Sequence, residues 1–535
     1  MAEEYDVVYI GSGHNGLISA AYLAKAGLKT INIDRREVLG GACATEEVTL
    51  PGFKHNTHSN MHSYIHWSPI FKDLEIAKYH KYIFPDPAMA MVFPDGKSII
   101  QYVGQGIEPV DKTCKTLARF SPKDAKAYKD YYMLHHQWRD FYITWWYGPP
   151  LMPSQQFSLL EGTELGREIL WLQMTSLKKA SAEVFESSEI RAFMMMAGVQ
   201  VGLGVEEYGT GLFLPLMTAL EHDPGWGISP GGSNTIAQAI ANVVKDHGGK
   251  ILLNSEVVKI IVKNGIARGV ELENGDKIHA KKAVVSNIDP QGTFFRLVGE
   301  ENLEEGFLRQ IRRWTPGISA IIPHYALNEP PIYKTEDPDV NKSWSVLIGE
   351  SEEAVINFYR NLKDNEPVSK PEDTALLAFT NTLWDKSQAP EGKHTALYWL
   401  HRPYELKDGG AQKWHEVKEE VADLTDEVWC KYAPNMTKKN ILKRHVESPL
   451  EIEGRMPHMF GGCWLMGDMT QDQMGMFRPF HGYPPYMTPI ENLFMCGACT
   501  HPGGGVTGGP GYNSATAICD ALKVKKWWSP ITVKM

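Results

Sequence analysis

The order of apolar and polar positions divides the chain into a few clearly patterned segments. Tyr5-Asp6-Val7-Val8-Tyr9-Ile10 is a short, mostly apolar run of the kind that forms a buried strand. Leu17 to Gly27 is rich in Ala and Leu with helical spacing and stops on a glycine, and Leu28 to Ile33 reads as a second strand. Further along, Pro230-Gly231-Gly232-Ser233-Asn234 opens an apolar-periodic helix that runs to about Val244. Strands are then predicted over Ile251 to Val262, Ala267 to Leu272 and Lys277 to Ser286. Near the far end, Pro489 to Met495 reads as a strand that passes into a glycine-rich loop, with a helix from about Asn513.

The chemistry begins where the first strand meets the first helix. Gly11-Ser12-Gly13-His14-Asn15-Gly16 occupies that turn. Gly11 permits a tight turn, Gly13 lets backbone approach a pyrophosphate, and Gly16 allows close packing of helix on strand. The helix amino terminus offers unpaired N–H groups and partial positive charge to phosphates. Asp34, at the end of the second strand, lies where an acid hydrogen-bonds a ribose. A dinucleotide site is expected. Gly202-Leu203-Gly204 and Gly104-Gln105-Gly106 lack a third glycine, so no second nucleotide module is expected.

Composition narrows the reading. The 535 residues exceed one simple domain, and two intertwined lobes are expected. A net charge of -10 argues against nucleic acid, which needs clustered Lys and Arg. The acidic start Met1-Ala2-Glu3-Glu4-Tyr5-Asp6 is unlike a secretory signal, and no run approaches the ~18 apolar residues of a spanning helix. A cytoplasmic location is expected, with peripheral contact to the inner face of a membrane left open. Seven scattered cysteines do not form a disulfide framework.

Two more blocks select the cofactor. Arg35-Arg36-Glu37-Val38-Leu39-Gly40-Gly41-Ala42-Cys43-Ala44-Thr45 follows Asp34 and suits a cofactor that extends past the ribose. Cys496-Gly497-Ala498-Cys499-Thr500-His501-Pro502-Gly503-Gly504-Gly505-Val506-Thr507-Gly508-Gly509-Pro510-Gly511 places a second helix amino terminus beside a glycine-rich loop. Together with the first motif and the Pro230 to Ser286 region, these blocks resemble the phytoene (carotenoid) desaturase family, within the flavin amine-oxidase-like superfamily. That resemblance implies an α/β fold: a Rossmann-like FAD-binding domain of the glutathione-reductase/amine-oxidase type with an interleaved α+β substrate lobe. Residues 1–60, 226–300 and 485–535 would form the FAD-binding domain, and 61–225 with 301–484 the substrate lobe. It further implies that Gly11, Ser12, Gly13, His14, Asn15 and Gly16 line the pyrophosphate and Asp34 the ribose. Arg35, Gly41 and Ala42 would continue along FAD, Val257 would face the adenine, and Gly497, Val506 and Thr507 would lie near the flavin. The family often carries Glu at the ribose position, so Asp34 is a mild departure.

The predicted substrate lobe is rich in aromatic and methionine clusters: Tyr131-Tyr132-Met133-Leu134, Trp138, Phe141-Tyr142, Trp145-Trp146-Tyr147, Phe193-Met194-Met195-Met196, and Met466, Met469, Met474 and Met476. Each alone reads as core, but their density suits a cavity for an apolar, unsaturated ligand. The family's isoprenoid and terpene substrates fit such a cavity. The implied reaction is removal of an allylic hydride, followed by desaturation or by capture of water to give an alcohol. An amine or alcohol oxidase and a low-turnover flavin-bound partner protein are the alternatives. The electron acceptor would be external: a quinone, oxygen or a redox protein. Oligomerisation is left open.

His55, His58, His62 and His66 follow the first motif; His58, His62 and His66 would share one face if the segment were helical. No carboxylate or cysteine joins them locally, so no metal is expected, and His58 is the candidate acid–base residue. Asp472-Gln473 and Arg478 are weaker site candidates. Cys496-x-x-Cys499 reads as structural rather than redox-active. The tail Lys523-Val524-Lys525-Lys526-Trp527-Trp528 reads either as a lipid-headgroup contact or as a helix end packed by two tryptophans.

Overall fold

The computed structural model describes residues 4–198, 202–223, 226–367 and 370–532. Met1, Ala2 and Glu3 of the acidic start lie outside the described residues, as does the expected lobe boundary at residue 225. In chain order the strands that organise the molecule are β1 (Glu4–Ile10), β2 (Thr30–Ile33), β3 (Met89–Val92), β4 (Ser98–Gln101), β5 (Lys250–Leu252), β6 (Val257–Lys263), β7 (Ile266–Leu272), β8 (Lys277–Ser286), β9 (Ser319–Leu327), β10 (Ser345–Ile348), β11 (Leu376–Phe379), β12 (His394–Arg402), β13 (Ile441–Glu447) and β14 (Leu493–Met495).

Two seven-stranded sheets result. The first runs β6-β7-β8-β1-β2-β5, with β14 also on β8; β1, β2, β5, β8 and β14 are parallel neighbours. Their apolar faces are covered by helices α1 (His14–Lys25), α3 (Asn234–Asp246) and α4 (Gly509–Ala521). Parallel strands buried on both faces read as continuous apolar runs, which is why β1 and β2 were legible. The second sheet runs β13-β9-β12-β11-β10-β3-β4 and is antiparallel except where β10 meets β3. It is mixed α/β, as expected. The first sheet draws on the three stretches assigned to the FAD-binding domain and the second on the two assigned to the substrate lobe. The exact boundaries stay a proposed division.

Several local expectations change. Ile251 to Val262 is not one strand: β5 ends at Leu252 and β6 begins at Val257. Asn254 takes φ 52 in the break, where its N–H and that of Ser255 bond the carbonyls of Arg36 and Asp34. The last helix begins at Gly509, not near Asn513. Phe193, Met194, Met195 and Met196 belong to the main core, and Met133 and Leu134 are exposed. The tail's tryptophans are used internally. Trp527 stacks on Tyr22 at 5.3 Å and Trp528 is buried edge-on to it, so neither is free to anchor in lipid. Among the described residues, no helix is long and apolar enough to cross a membrane.

Candidate functional site

The glycines of the first motif converge on one side chain. A Cβ on Gly11, Gly13 or Gly16 would approach Asn287 to 3.4, 2.7 or 3.1 Å. Asn287 follows β8, and its N–H bonds the Ile10 carbonyl at 2.9 Å, so it fills the space that the missing side chains leave. Gly11 has φ +99 and donates to the Ile33 carbonyl at 2.7 Å, which closes the turn. Helix α1 starts with no side-chain cap and no acid in its first turn. Its amino-terminal N–H groups and partial positive charge therefore point at the loop without internal compensation, which is the arrangement an anionic pyrophosphate requires. Gly41, with φ +60, brings a second backbone segment close: a Cβ there would stand 3.1 Å from the Gly13 Cα.

Asp34 is held by this loop. One carboxylate oxygen accepts the Ser12 N–H and hydroxyl, both at 2.7 Å, and the other accepts the Arg36 N–H at 3.0 Å. Gly11, Gly13, Asp34, Arg35, Gly41 and Val257 line one cleft enclosing about 710 Å³. Ser12, His14, Asn15 and Gly16 are buried and do not line it; the buried Asn15 amide oxygen has no protein partner. Ala42 is part-buried against the main core. Gly497 backs onto the Asn287 carbonyl, and the Thr507 carbonyl accepts the Tyr147 hydroxyl at 2.8 Å. Val506, a buried β-branched residue with φ 58, sits in the strained backbone that clusters at ligand sites. Asn287, Arg296, Arg455 and His458 also line the cleft and were not foreseen. Asn287 carried a signal, directly after a predicted strand. Arg455 and His458 carried none, because they arrive from the second sheet's region.

A second space lies among the aromatics. Phe141, Tyr142, Trp145 and Trp146 of α2 (Arg139–Tyr147), with Met469, Met474 and Met476, help line a cavity of about 1370 Å³. Trp146 is backed by Tyr64, stacked at 4.8 Å, whose hydroxyl donates to the buried Glu221. Met466 is not in the lining; it packs beside Gly497. The main-chain carbonyls of Trp145 and Trp146 receive hydrogen bonds from His501 and Asn513, which fastens α2 to the glycine-rich loop and to α4.

The histidine segment forms no continuous helix, and only His66 lies in a single 3-10 turn (Ile65–Trp67). His55 and His62 lie in short strand pairs with Glu46 and Gly227, so the expected common face does not form. His62 bonds Ser233 and Tyr82, and His55 bonds Thr49. His58 is brought to Glu447, 3.9 Å away, and not to the cavity wall. Burial pushes its pKa down to about 4 despite that carboxylate. Glu447 is ion-paired to Arg455, which also meets Glu46 at 3.1 Å. No group of His, Cys, Asp or Glu among the described residues could hold a metal. Cys496 and Cys499 are free thiols with separate partners, Asn287 and the Ile288 carbonyl.

Arg478 ties the glycine-rich loop to the segment that carries the cavity's methionines. Its buried guanidinium donates to the carbonyls of Ala498 (3.0 Å), Asp468 (2.8 Å), Leu465 (2.9 Å) and Gln473 (3.2 Å). Burial lowers its pKa to about 10, so it stays charged at neutral pH. Replacing it by lysine keeps the charge but loses the planar fork, leaving carbonyls unpaired. Arg478→Lys should cost about 2 kcal/mol, read as a lowered thermal midpoint. An unchanged midpoint would show that the fork is dispensable.

Comparison with known proteins agrees with this geometry. Residues 10–74 match the NAD(P)-binding Rossmann-like domain. A limonene dehydrogenase subunit of Castellaniella defragrans is 30% identical, over 98% of this chain and 96% of that protein. The neurosporene-forming phytoene desaturase of Cereibacter sphaeroides is 25% identical over 93% of this chain and 91% of its own. A solved putrescine oxidase variant shares the fold, with a TM-score of 0.60 at 14% identity, over 97% of this chain and 99% of that one. A relative of 30% identity that matches nearly end to end leaves no large part of the chain outside the likeness. With the cradle, the loop and the apolar cavity all in place, the chain belongs to the phytoene desaturase family of flavin-dependent oxidoreductases.

Proposed function

We propose that the chain binds FAD in the Asp34 cleft and oxidises an apolar terpenoid at an allylic carbon. The observation that carries this reading is the junction itself. One glycine-rich loop packs on Asn287 of the dinucleotide cradle at Gly497 and is bonded to the walls of the Trp- and Met-lined cavity through Trp145 and Arg478, while Asn513 of α4 holds Trp146. The residues fit an FAD: an uncapped helix start, glycines where a Cβ would intrude, and an oriented acid. Gly11, Ser12, Gly13, His14, Asn15 and Gly16 would hold the pyrophosphate, Asp34 the ribose, and Arg35, Gly41, Ala42 and Val257 the rest of the ADP half. Gly497, Val506 and Thr507 would flank the flavin.

When bound, the flavin supplies a two-electron acceptor for hydride. The chain supplies shape and dryness. Phe141, Tyr142, Trp145 and Trp146 exclude water, and aromatic faces stabilise positive charge that develops on an alkene. The limonene and phytoene in the relatives' names support a terpenoid substrate. An amine or alcohol oxidase is the weaker reading, because the cavity lining contains no carboxylate, among the described residues, to pair with an ammonium. The electron acceptor is external: a quinone, oxygen or a redox protein.

Anaerobic titration of the purified protein with monoterpenes and longer isoprenoids tests the reading. Bleaching of the oxidised flavin band by an alkene is expected, and product analysis then separates desaturation from hydroxylation. Reduction by amines or alcohols alone would replace this reading with the oxidase.

A further inference from the structure

A smaller cleft of about 360 Å³ lies beside the apolar cavity, and the two share Gly475 and Met476 in their walls. Tyr483, Tyr486, Thr500, His501 and Arg478 line its polar parts. His501 belongs to the glycine-rich loop and is only 1% exposed. Its Nε2 lies 2.8 Å from the Trp145 carbonyl. A carbonyl can only accept, so Nε2 carries the hydrogen and Nδ1 presents a bare lone pair. That Nδ1 is buried with no protein partner. A buried, unpaired acceptor on a residue that lines a cleft is costly unless something donates to it, and water is the donor that fits.

We propose that His501 is the proton acceptor of the oxidation, acting through Nδ1 on water held in this cleft. The inference rests on the terpenoid reading. Departure of the hydride, with its electron pair, to the flavin leaves an allylic cation. For an alcohol, the water oxygen bonds the cationic carbon, one O–H bond breaks, and that proton goes to Nδ1. For an alkene, an adjacent C–H bond breaks, its pair becomes the new double bond, and water relays the proton to Nδ1. Both outcomes put one proton on His501.

Burial lowers the His501 pKa to about 4, partly opposed by the Trp145 carbonyl, with Arg478 adding to the fall. A weak base is sufficient here because a carbocation and the hydrogens beside it are strongly acidic. The groups facing it are Arg478 and the phenols of Tyr483 and Tyr486; no carboxylate lines the cleft among the described residues. Nothing nearby holds the imidazole protonated.

His501→Gln keeps a donor near the Nε2 position for the Trp145 carbonyl and removes the base. Turnover of the best alkene should fall about 100-fold. Flavin content, and apolar-ligand binding read by tryptophan quenching, should stay unchanged. Deuterium exchange at the His501 ring C2 position, followed by mass spectrometry on wild-type protein, should show an uncharged ring from about pH 8 down to about 6, because burial lowers its pKa. Equal turnover in the variant would overturn the assignment, as would loss of flavin or ligand binding alongside turnover. A His501 ring that is charged at neutral pH would overturn it even where the variant fails to fold. If no alkene reduces the wild-type flavin, the terpenoid reading itself fails and takes this step with it.

Discussion

Gly13→Val should yield a folded protein that has lost its flavin, with affinity at least 100-fold weaker, equivalent to about 2.7 kcal/mol. The first added carbon would stand 2.7 Å from the Asn287 amide nitrogen. Asn287 has little room to retreat, because the same side chain already fills the space over Gly11 and Gly16. Its backbone is fixed by the hydrogen bond to the Ile10 carbonyl. The valine branches would also stand over the start of α1, where the pyrophosphate must reach unpaired N–H groups. The overpacking should cost the fold about 1–3 kcal/mol, which a large protein tolerates, so cofactor loss dominates. Flavin-to-protein absorbance after gel filtration reads the result directly. Full flavin content would mean that the pyrophosphate does not cross Gly13.

Much of this was written in local sequence. β1, the glycine turn, α1, β2 and Asp34 follow from periodicity and steric need within thirty-odd residues of one another. The glycine-rich loop before α4 was equally plain. Failures arose where tertiary contacts override local pattern. His58, His62 and His66 have helical spacing, but the segment pairs instead with Thr45–Glu46 and Trp226–Gly227, contacts that spacing cannot disclose. The break between β5 and β6 is not visible in an apolar run. It arises because Ser255 and Glu256 turn to form a wall of the Asp34 cleft. The methionine clusters show both outcomes of one composition. Met194 to Met196 sit on a helix inside the core, whereas Met469, Met474 and Met476 sit on irregular backbone and reach the cavity. Arg455 and His458 reach the cleft by a long-range return of the chain, which nothing local encodes.

Acidification should unfold the protein between about pH 6 and 4, well above the range where its paired carboxylates protonate. His58, His222 and His501 are wholly enclosed, and burial lowers each pKa to about 4. In the unfolded chain they return to about 6.5. Above that value both states are neutral and the effect is absent. Between 6.5 and 4 the unfolded chain takes up protons that the folded one refuses, so stability falls as pH falls. Each histidine contributes about 1.4 kcal/mol per pH unit across that window. Glu221 works the other way: burial raises its pKa, so the folded state keeps a proton that the unfolded chain releases, and acid relieves that cost. Glu447, which burial alone would raise, is held down to about 2 by His445, His58 and Arg455, and loses its stabilising charge only at lower pH. These three histidines less Glu221 contribute about 3 kcal/mol per pH unit, enough by themselves to consume a typical folding free energy within a few units. His222 shows why protonation is resisted. Its Nδ1 donates to the Tyr102 carbonyl and its Nε2 accepts the Tyr128 hydroxyl, both at 2.7 Å, so a second ring proton would set two donors against each other. Urea titrations followed by tryptophan fluorescence from pH 7 to 4.5 measure the slope, and His222→Gln should reduce it by one histidine's share. Stability that stays level from pH 7 to 5 would mean that these imidazoles are not held neutral in the folded protein.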